Sequence, residues 1–365
     1  MLMHDNNEIA RFFLAVSSPQ GFASRFSELS DAGEDWHTYI IKGGPGTGKS
    51  TMMEQVAEAL LPYDSNAELI YCSSDPSSLD ALIFHTLKIS FVDGTDPHVV
   101  EPKYIGACET IIQLSECFDY DLLYQQRKEI KLLTNENRAL QERSNRFLTA
   151  AGTLISDTAR LALEATDIPK IIQYGQRFSH REFKPLKGKA GREYARFLSA
   201  ITPQGIKFFS ETVPVYCDRI YVIDDDYGVI ARILLETIRS YALTANYDTI
   251  GCYCPISPFD KLEHLLIPEA GIGFVSSNKW HKQDFPEARK IHSRRFIDTA
   301  MLKGRRQRIN FNRKAAKELL HEAIALKQEA KEVHDLLEEY YVSAMDFEEW
   351  KCKMNAALEQ VARRI

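Results

Sequence analysis

The chain has 365 residues, enough for two domains of ordinary size with buried cores, and a formal net charge of −6. That balance excludes a global electrostatic pull toward nucleic acid or anionic membrane, so nucleic acid is not indicated as a partner. Seven scattered cysteines include a C-x-C at Cys252 and Cys254, but no second Cys/His pair stands at zinc spacing, and they read as reduced thiols of a cytoplasmic protein.

In chain order, the N-terminus "MLMHDNNEIARFF" lacks the basic start and long apolar run of a secretory signal. No stretch reaches the roughly 18 apolar residues of a membrane span, so no membrane association is expected. Next, "FLAVSSPQG" (Phe13–Gly21) returns as "FLSAITPQG" (Phe197–Gly205), identical at five of nine positions and offset by 184. Tyr39-Ile40-Ile41 meets Tyr221-Val222-Ile223 at 182, "IYCSSDPSSLD" (Ile70–Asp80) meets "CYCPISPFD" (Cys252–Asp260), and "FVDGTDPH" (Phe91–His98) meets "FVSSNKWH" (Phe274–His281) at 183. Four ordered matches at nearly constant offset imply an internal duplication.

In the first copy the apolar run Tyr39–Ile41 leads into "GGPGTGKS" (Gly43–Ser50), which fits G-x-x-x-x-G-K-[ST] and opens a helix from Thr51. Glycines at Gly43, Gly44, Gly46 and Gly48, with Pro45 and Thr47 between them, let backbone N–H groups wrap an anion, and the helix N-terminus adds partial positive charge. Lys49 is expected to bridge β- and γ-phosphates, Ser50 to ligate Mg2+, and Thr51 to lie near the α-phosphate. The strand-like "LKISFVDG" (Leu87–Gly94) ends in Asp93, the candidate second metal-side residue and, as the alternative, a turn residue before Gly94. Gly94 stands where a water-polarising glutamate often follows, which leaves Asp75, Asp96 and His98 as candidate bases, each with a solvated or structural role as the alternative. From Leu123 to Leu154 apolar residues recur at helical spacing, interrupted by Asn137 and Ser144. With a break near Thr166–Lys170 this reads as a helical hairpin, packed on its parent domain or projecting toward a protein partner or a second copy. The basic segment Ser179–Arg196 reads as a linker. Arg192 and Arg196 within it are candidates for a phosphate-facing arginine, with a solvated role as the alternative.

The second copy runs on to a matching hairpin, Arg313 to about Tyr340 and then Asp346 to Arg364. Aligned at 182, Asp224-Asp225-Asp226-Tyr227 replaces Lys42-Gly43-Gly44-Pro45. Gly48 becomes Ile230, Lys49 becomes Ala231 and Ser50 becomes Arg232, and only Gly46 keeps a glycine partner, Gly228. Asp93 becomes Ser276 at 183. Loss of cation, hydroxyl and glycines, with carboxylates gained, argues against a second nucleotide site. The expected domains are 1–178 (phosphate loop with helical appendage), 179–196 (linker) and 197–365 (degenerate copy with C-terminal helices). The expected fold is α/β, a parallel sheet duplicated in tandem.

The segments "IIKGGPGTGKST", "YCSSDPSSLD", "VDGTDPHVVEPKYIGA" and "FLSAITPQG" together resemble a family of uncharacterised bacterial tandem P-loop ATPases. The resemblance covers most of the chain and implies a P-loop nucleoside triphosphatase fold and ATP binding. The expected function is an ATP-binding protein, a Mg2+-dependent ATPase with Lys49, Asp93, Asp75 and His98 as catalytic candidates and one inactive copy for regulation or partner binding. The alternatives are a kinase for a nucleotide or other small molecule, with Asp75 at the acceptor hydroxyl, and a non-catalytic ATP-sensing scaffold.

Overall fold

The computed structural model describes residues 9–31, 33 and 35–365. The first half contributes β1 (Ala10–Phe12), β2 (Ala15–Ser18), β3 (Gly21–Ser24), β4 (His37–Lys42), α1 (Lys49–Leu60), β5 (Ala67–Tyr71), β6 (Leu79–Phe84), β7 (Ile89–Asp93), β8 (Glu109–Gln113), α2 (Tyr120–Gln125), α3 (Arg127–Leu163) and α4 (Ile168–Glu182). The second half contributes β9 (Glu193–Arg196), β10 (Ser199–Thr202), β11 (Gly205–Phe208), α5 (Thr212–Tyr216), β12 (Arg219–Asp224), α6 (Ile230–Thr244), β13 (Thr249–Cys254), β14 (Ser257–Ile267), β15 (Ile272–Ser277), β16 (Arg289–His292), α7 (Thr299–Lys303), α8 (Arg306–Ser343) and α9 (Phe347–Ala362).

Two six-stranded sheets form, ordered β1-β5-β6-β7-β4-β8 and β9-β13-β14-β15-β12-β16. They match strand for strand, and each half adds a two-stranded hairpin, β2–β3 or β10–β11. This is an α/β architecture compatible with a duplicated domain. The sheets are mixed rather than parallel. β6 runs antiparallel to β5 and β7, and β14 runs antiparallel to β13 and β15. The turn between β5 and β6 is too short for a crossover, so the chain must return antiparallel. β4 and β7, both nearly all buried along their length, keep the parallel pairing that a two-sided cover favours.

A pseudo-two-fold axis relates the halves. Phe13 and Phe197, counterparts in the repeat, exchange both backbone hydrogen bonds at 2.9 Å. The long helices α3 and α8 lie antiparallel. Asn137 Nδ2 donates to the Ala330 carbonyl (2.7 Å), Ser144 Oγ to the Ala323 carbonyl (2.8 Å), and Arg308 Nε to Asp157 Oδ2 (2.9 Å). Ser144 and Ala323 stand at the interval that also separates the helix caps Asp119 from Asp298 and Asp167 from Asp346, so the axis passes between them. Asn137 and Ser144, which interrupt the apolar series, therefore fix the register of this pair.

The hairpins neither pack on their parent sheet nor project. They exchange. α4 lies on α6, where Gly175 lets it approach Leu234 and Thr237, and Phe178 packs against Tyr221 and Phe274 of the second sheet. In return Trp350, Ala357 and Val361 of α9 join the core built by Tyr39, Ile41, Met52 and Phe91 of the first half. The crossing points are symmetric, with Asp119 N–H on the Ala344 carbonyl and Asp298 N–H on the Ala165 carbonyl. A larger apolar core includes residues of both halves, among them Phe12, Phe13, Ile40, Phe197, Ile223 and Leu265. Of the segment 179–196, residues 179–182 finish α4 and 193–196 form β9, which leaves 183–192 as the irregular connection. Among the described residues no helix is long and apolar enough to cross a membrane.

Candidate functional site

The site candidates gather at the carboxyl ends of the first sheet's central strands, where open α/β sheets place ligands. β4 ends at Lys42 and α1 begins at Lys49, which makes 43–48 the connecting loop. Gly46 (φ 65°) and Gly48 (φ 74°) occupy the left-handed region that favours glycine. Lys49 folds back over the loop. Its Nζ donates to the carbonyls of Gly43 (3.1 Å) and Gly44 (2.8 Å) and lies 3.6 Å from Asp93 Oδ2. Thr47 Oγ1 donates to the Gly44 carbonyl, and Ser50 Oγ accepts the Leu79 N–H at 2.9 Å. Pro45 lies on the same loop, and Thr51 is exposed on the first turn of α1.

Asp93 ends β7, beside β4. Burial raises its pKa, as does Asp80, against the opposing pull of Lys49 and of two hydrogen bonds from Thr95. Asp80 escaped sequence reasoning. It is the second residue of β6, one strand beyond Asp93, and its Oδ2 lies 3.0 Å from His98 Nε2 in a buried pair. Burial works against the imidazolium of His98, but Asp80, with Asp93 and Asp96, outweighs it and raises the His98 pKa. The His98 Nδ1 is buried without a hydrogen-bond partner. The apolar run after Asp80 is a strand signal that points to it. Its pairing with His98 follows only once β6 is known to be antiparallel.

Asp75 turns to other partners. Asp75 accepts hydrogen bonds from Ser77 and meets Lys331 Nζ at 3.2 Å. Burial opposes the ionised form, but those partners lower its pKa. Asp96 is exposed. Arg196 does not reach the loop: it is buried against Glu68 (2.7 Å), tying the two sheets together. Arg192 rests over the Tyr194 ring. The connection 183–192 lies on the second half, with Leu186 N–H on the Ala245 carbonyl.

Side chains of the second half cover the first half's loop. Gly46 N–H points to Glu338 Oε1 at 3.4 Å, and a Cβ at Gly44 would meet Tyr341 at 3.4 Å. One at Gly48 would meet the Trp350 indole nitrogen at 3.0 Å. None of this cover is visible in the sequence, because it depends on the exchange of hairpins.

The second half's equivalent loop is filled from within. Asp225 is fully buried, and its carboxylate accepts the N–H groups of Tyr227 (3.3 Å), Gly228 (3.1 Å) and Ala231 (2.8 Å). Burial raises its pKa against those hydrogen bonds and against Lys261. Above this loop lies a cavity of about 920 Å³, whose lining includes Tyr227, Arg232, Lys261, Glu263, Trp280 and Arg313.

Among the described residues, two side-chain groups bring metal-ligating atoms within 4.8 Å of one another: Cys72, Asp80 and His98, and Glu263, His264 and His281. In the second group His264 Nδ1 accepts the Ser276 N–H at 3.1 Å, so the neutral ring carries its proton on Nε2. That tautomer offers a donor, not a metal ligand.

No family model, curated protein or solved structure matches this chain. What stands on the fold itself is an α/β architecture of two matching six-stranded sheets, compatible with a duplicated domain, with exchanged helical hairpins and a glycine-rich loop at 43–48.

Proposed function

We propose that the first half binds ATP with Mg2+ in the 43–50 loop and that the protein is a Mg2+-dependent ATPase whose second half binds no nucleotide. The observation that carries this reading is the pairing of a loop bearing two left-handed glycines with Lys49, whose ammonium lies 3.6 Å from Asp93 on the neighbouring parallel strand. A phosphate chain accepting the loop's N–H groups would draw Lys49 off the Gly43 and Gly44 carbonyls. Ser50 and Asp93 are the residues that would hold Mg2+, which supplies charge neutralisation to the phosphates. The buried Asp80–His98 pair is the candidate for taking a proton from the attacking water, since Asp80 raises the affinity of the ring for that proton. Glu338 and the retracted Lys49 define a closed resting loop, so entry of a nucleotide requires the α8–α9 cover to yield.

The test is ADP release by the full chain with Mg2+, with and without a panel of nucleosides and nucleotides. Release without acceptor, abolished in Lys49→Ala and needing more Mg2+ in Asp93→Asn, is the expected result. Release that depends on an added acceptor would replace the ATPase by a kinase. Tight ATP binding without release would leave an ATP-sensing scaffold.

A further inference from the structure

Strands β6 and β14 each carry a bulge at the same place. Ile70 faces Ala81 and Tyr71 faces Leu79, which leaves Asp80 over, while Cys252 faces His264 and Tyr253 faces Leu262, which leaves Glu263 over. A bulge re-aims its side chain out of the strand's alternation. A histidine follows the next strand at the same interval, His98 after β7 and His281 after β15. A cysteine precedes the bulge, Cys72 just past β5 and Cys254 at the end of β13. In both turns two backbone N–H groups face the sulfur, from Ser74 and Asp75 onto Cys72 and from Ile256 and Ser257 onto Cys254. The second half thus carries the cysteine–carboxylate–histidine set without the glycine-rich loop.

The two sets differ in what stands among them. In the second half Lys261 Nζ lies 3.6 Å from Cys254 Sγ and 3.2 Å from Glu263 Oε1, so an ammonium sits between sulfur and carboxylate. His281 Nε2 lies 4.0 Å from the same Glu263 oxygen. The counterpart of Lys261 in the first half is Ser78, which brings no charge. There the ligating atoms of Cys72, Asp80 and His98 lie within 4.8 Å of one another, and the Asp80 and His98 side chains are buried. Thiolate, imidazole and carboxylate together suit a borderline divalent cation of the zinc class, whereas Mg2+ takes oxygen ligands. The N–H groups that face the Cys72 sulfur stabilise the thiolate that such an ion needs.

We propose that Cys72, Asp80 and His98 bind one zinc-class divalent cation, in the seat that the Lys261 ammonium takes in the second half. The site is separate from the Mg2+ position assigned to Ser50 and Asp93. Three protein ligands leave the fourth tetrahedral position to water. Burial, and after it Asp80, raises the Cys72 pKa, so binding releases the thiol proton. His98 likewise gives up the proton it shares with Asp80. One consequence, unlike the site itself, rests on the ATPase reading above. A bound ion holds the pair assigned there to proton transfer, so it inhibits ADP release.

The test strips the full chain with a chelator and titrates it with Co2+, whose bond to a thiolate absorbs in the near ultraviolet, in excess Mg2+. Zn2+ is then added in competition. The expected result is one Co2+ per chain with the charge-transfer band, displaced by Zn2+ and not by Mg2+. Cys72→Ser should abolish the band and weaken Zn2+ binding at least about tenfold. Cys254→Ser should leave band and affinity unchanged, because Lys261 holds that seat. Should Cys72→Ser not fold, His98→Gln is read by the same affinity. No band in the wild type, or a band that survives Cys72→Ser, would overturn the proposal and leave Asp80–His98 a hydrogen-bonded pair only. A band lost in Cys254→Ser alone would place the ion in the second half and overturn it equally. If Co2+ binds as expected and no nucleotide does, the ATPase reading fails and the cation site stands. If the ion binds and ADP release is unchanged, only the inhibition fails.

Discussion

Asp225 fills its own loop from within, accepting backbone N–H groups with a buried carboxylate. In the sequence, Asp224, Asp225 and Asp226 read alike, as three carboxylates that repel a phosphate. The structure distinguishes them: Asp225 is turned inward onto the N–H groups of Tyr227, Gly228 and Ala231, while Asp224 is exposed and Asp226 is partly so. The donors that would cradle phosphate are already satisfied. Asp225→Ala should leave the buried Ala231 N–H unpaired and cost about 1–3 kcal/mol, read by denaturant unfolding. A loss below about 0.5 kcal/mol would mean that water replaces the carboxylate without penalty. For the same reason Ala231→Lys should create no second nucleotide site, since the lysine arrives but the seat stays filled.

The helices show what periodicity can and cannot convey. Apolar spacing from Leu123 to Leu154 correctly announces a long helix, and the break at Thr166–Lys170 correctly announces a hairpin, capped by Asp167 on the Lys170 N–H. Periodicity says that a helix has an apolar face, not which sheet covers it, so the exchange of α4 and α9 was illegible. Asn137 and Ser144 were legible only as interruptions, because their acceptors are carbonyls of α8 almost two hundred positions away. Asp80 was missed for a related reason, since the short turn that makes β6 antiparallel is what brings it to His98. The exchange has a measurable consequence. Trp350 is 6% exposed and packs in the first half's core, against Gly48 of the loop. Trp350→Ala should cost about 3–5 kcal/mol. In native-state hydrogen exchange the loss of protection should fall on β4 and α1, far away in sequence. Protection lost from β12 and α6 instead would contradict the exchanged packing.

At the scale of the whole molecule the chain resembles a dimer of like subunits joined by one connection, with exchanged hairpins and a shared core. One half carries the glycine-rich 43–48 loop with Lys49 folded over it. The other keeps the fold, supplies α8 and α9 as cover, and fills its own loop with Asp225. A fragment ending near Ser179 would lose that cover and expose the face of α4 that packs on α6. The isolated first half should therefore aggregate or fold with an impaired site. The matching order of elements in the two halves and the glycine-rich loop were readable from residues alone, because both depend on local pattern. The exchange of cover was not, because it depends on which half's helix lies over which half's loop. The central claim is one nucleotide site per chain, built on the first half's loop. Isothermal titration of the full chain with Mg-ATP tests it most directly. The account predicts a stoichiometry of one, lost in Lys49→Ala and kept in Asp225→Ala. A stoichiometry of two, or binding that survives Lys49→Ala unchanged, would contradict it.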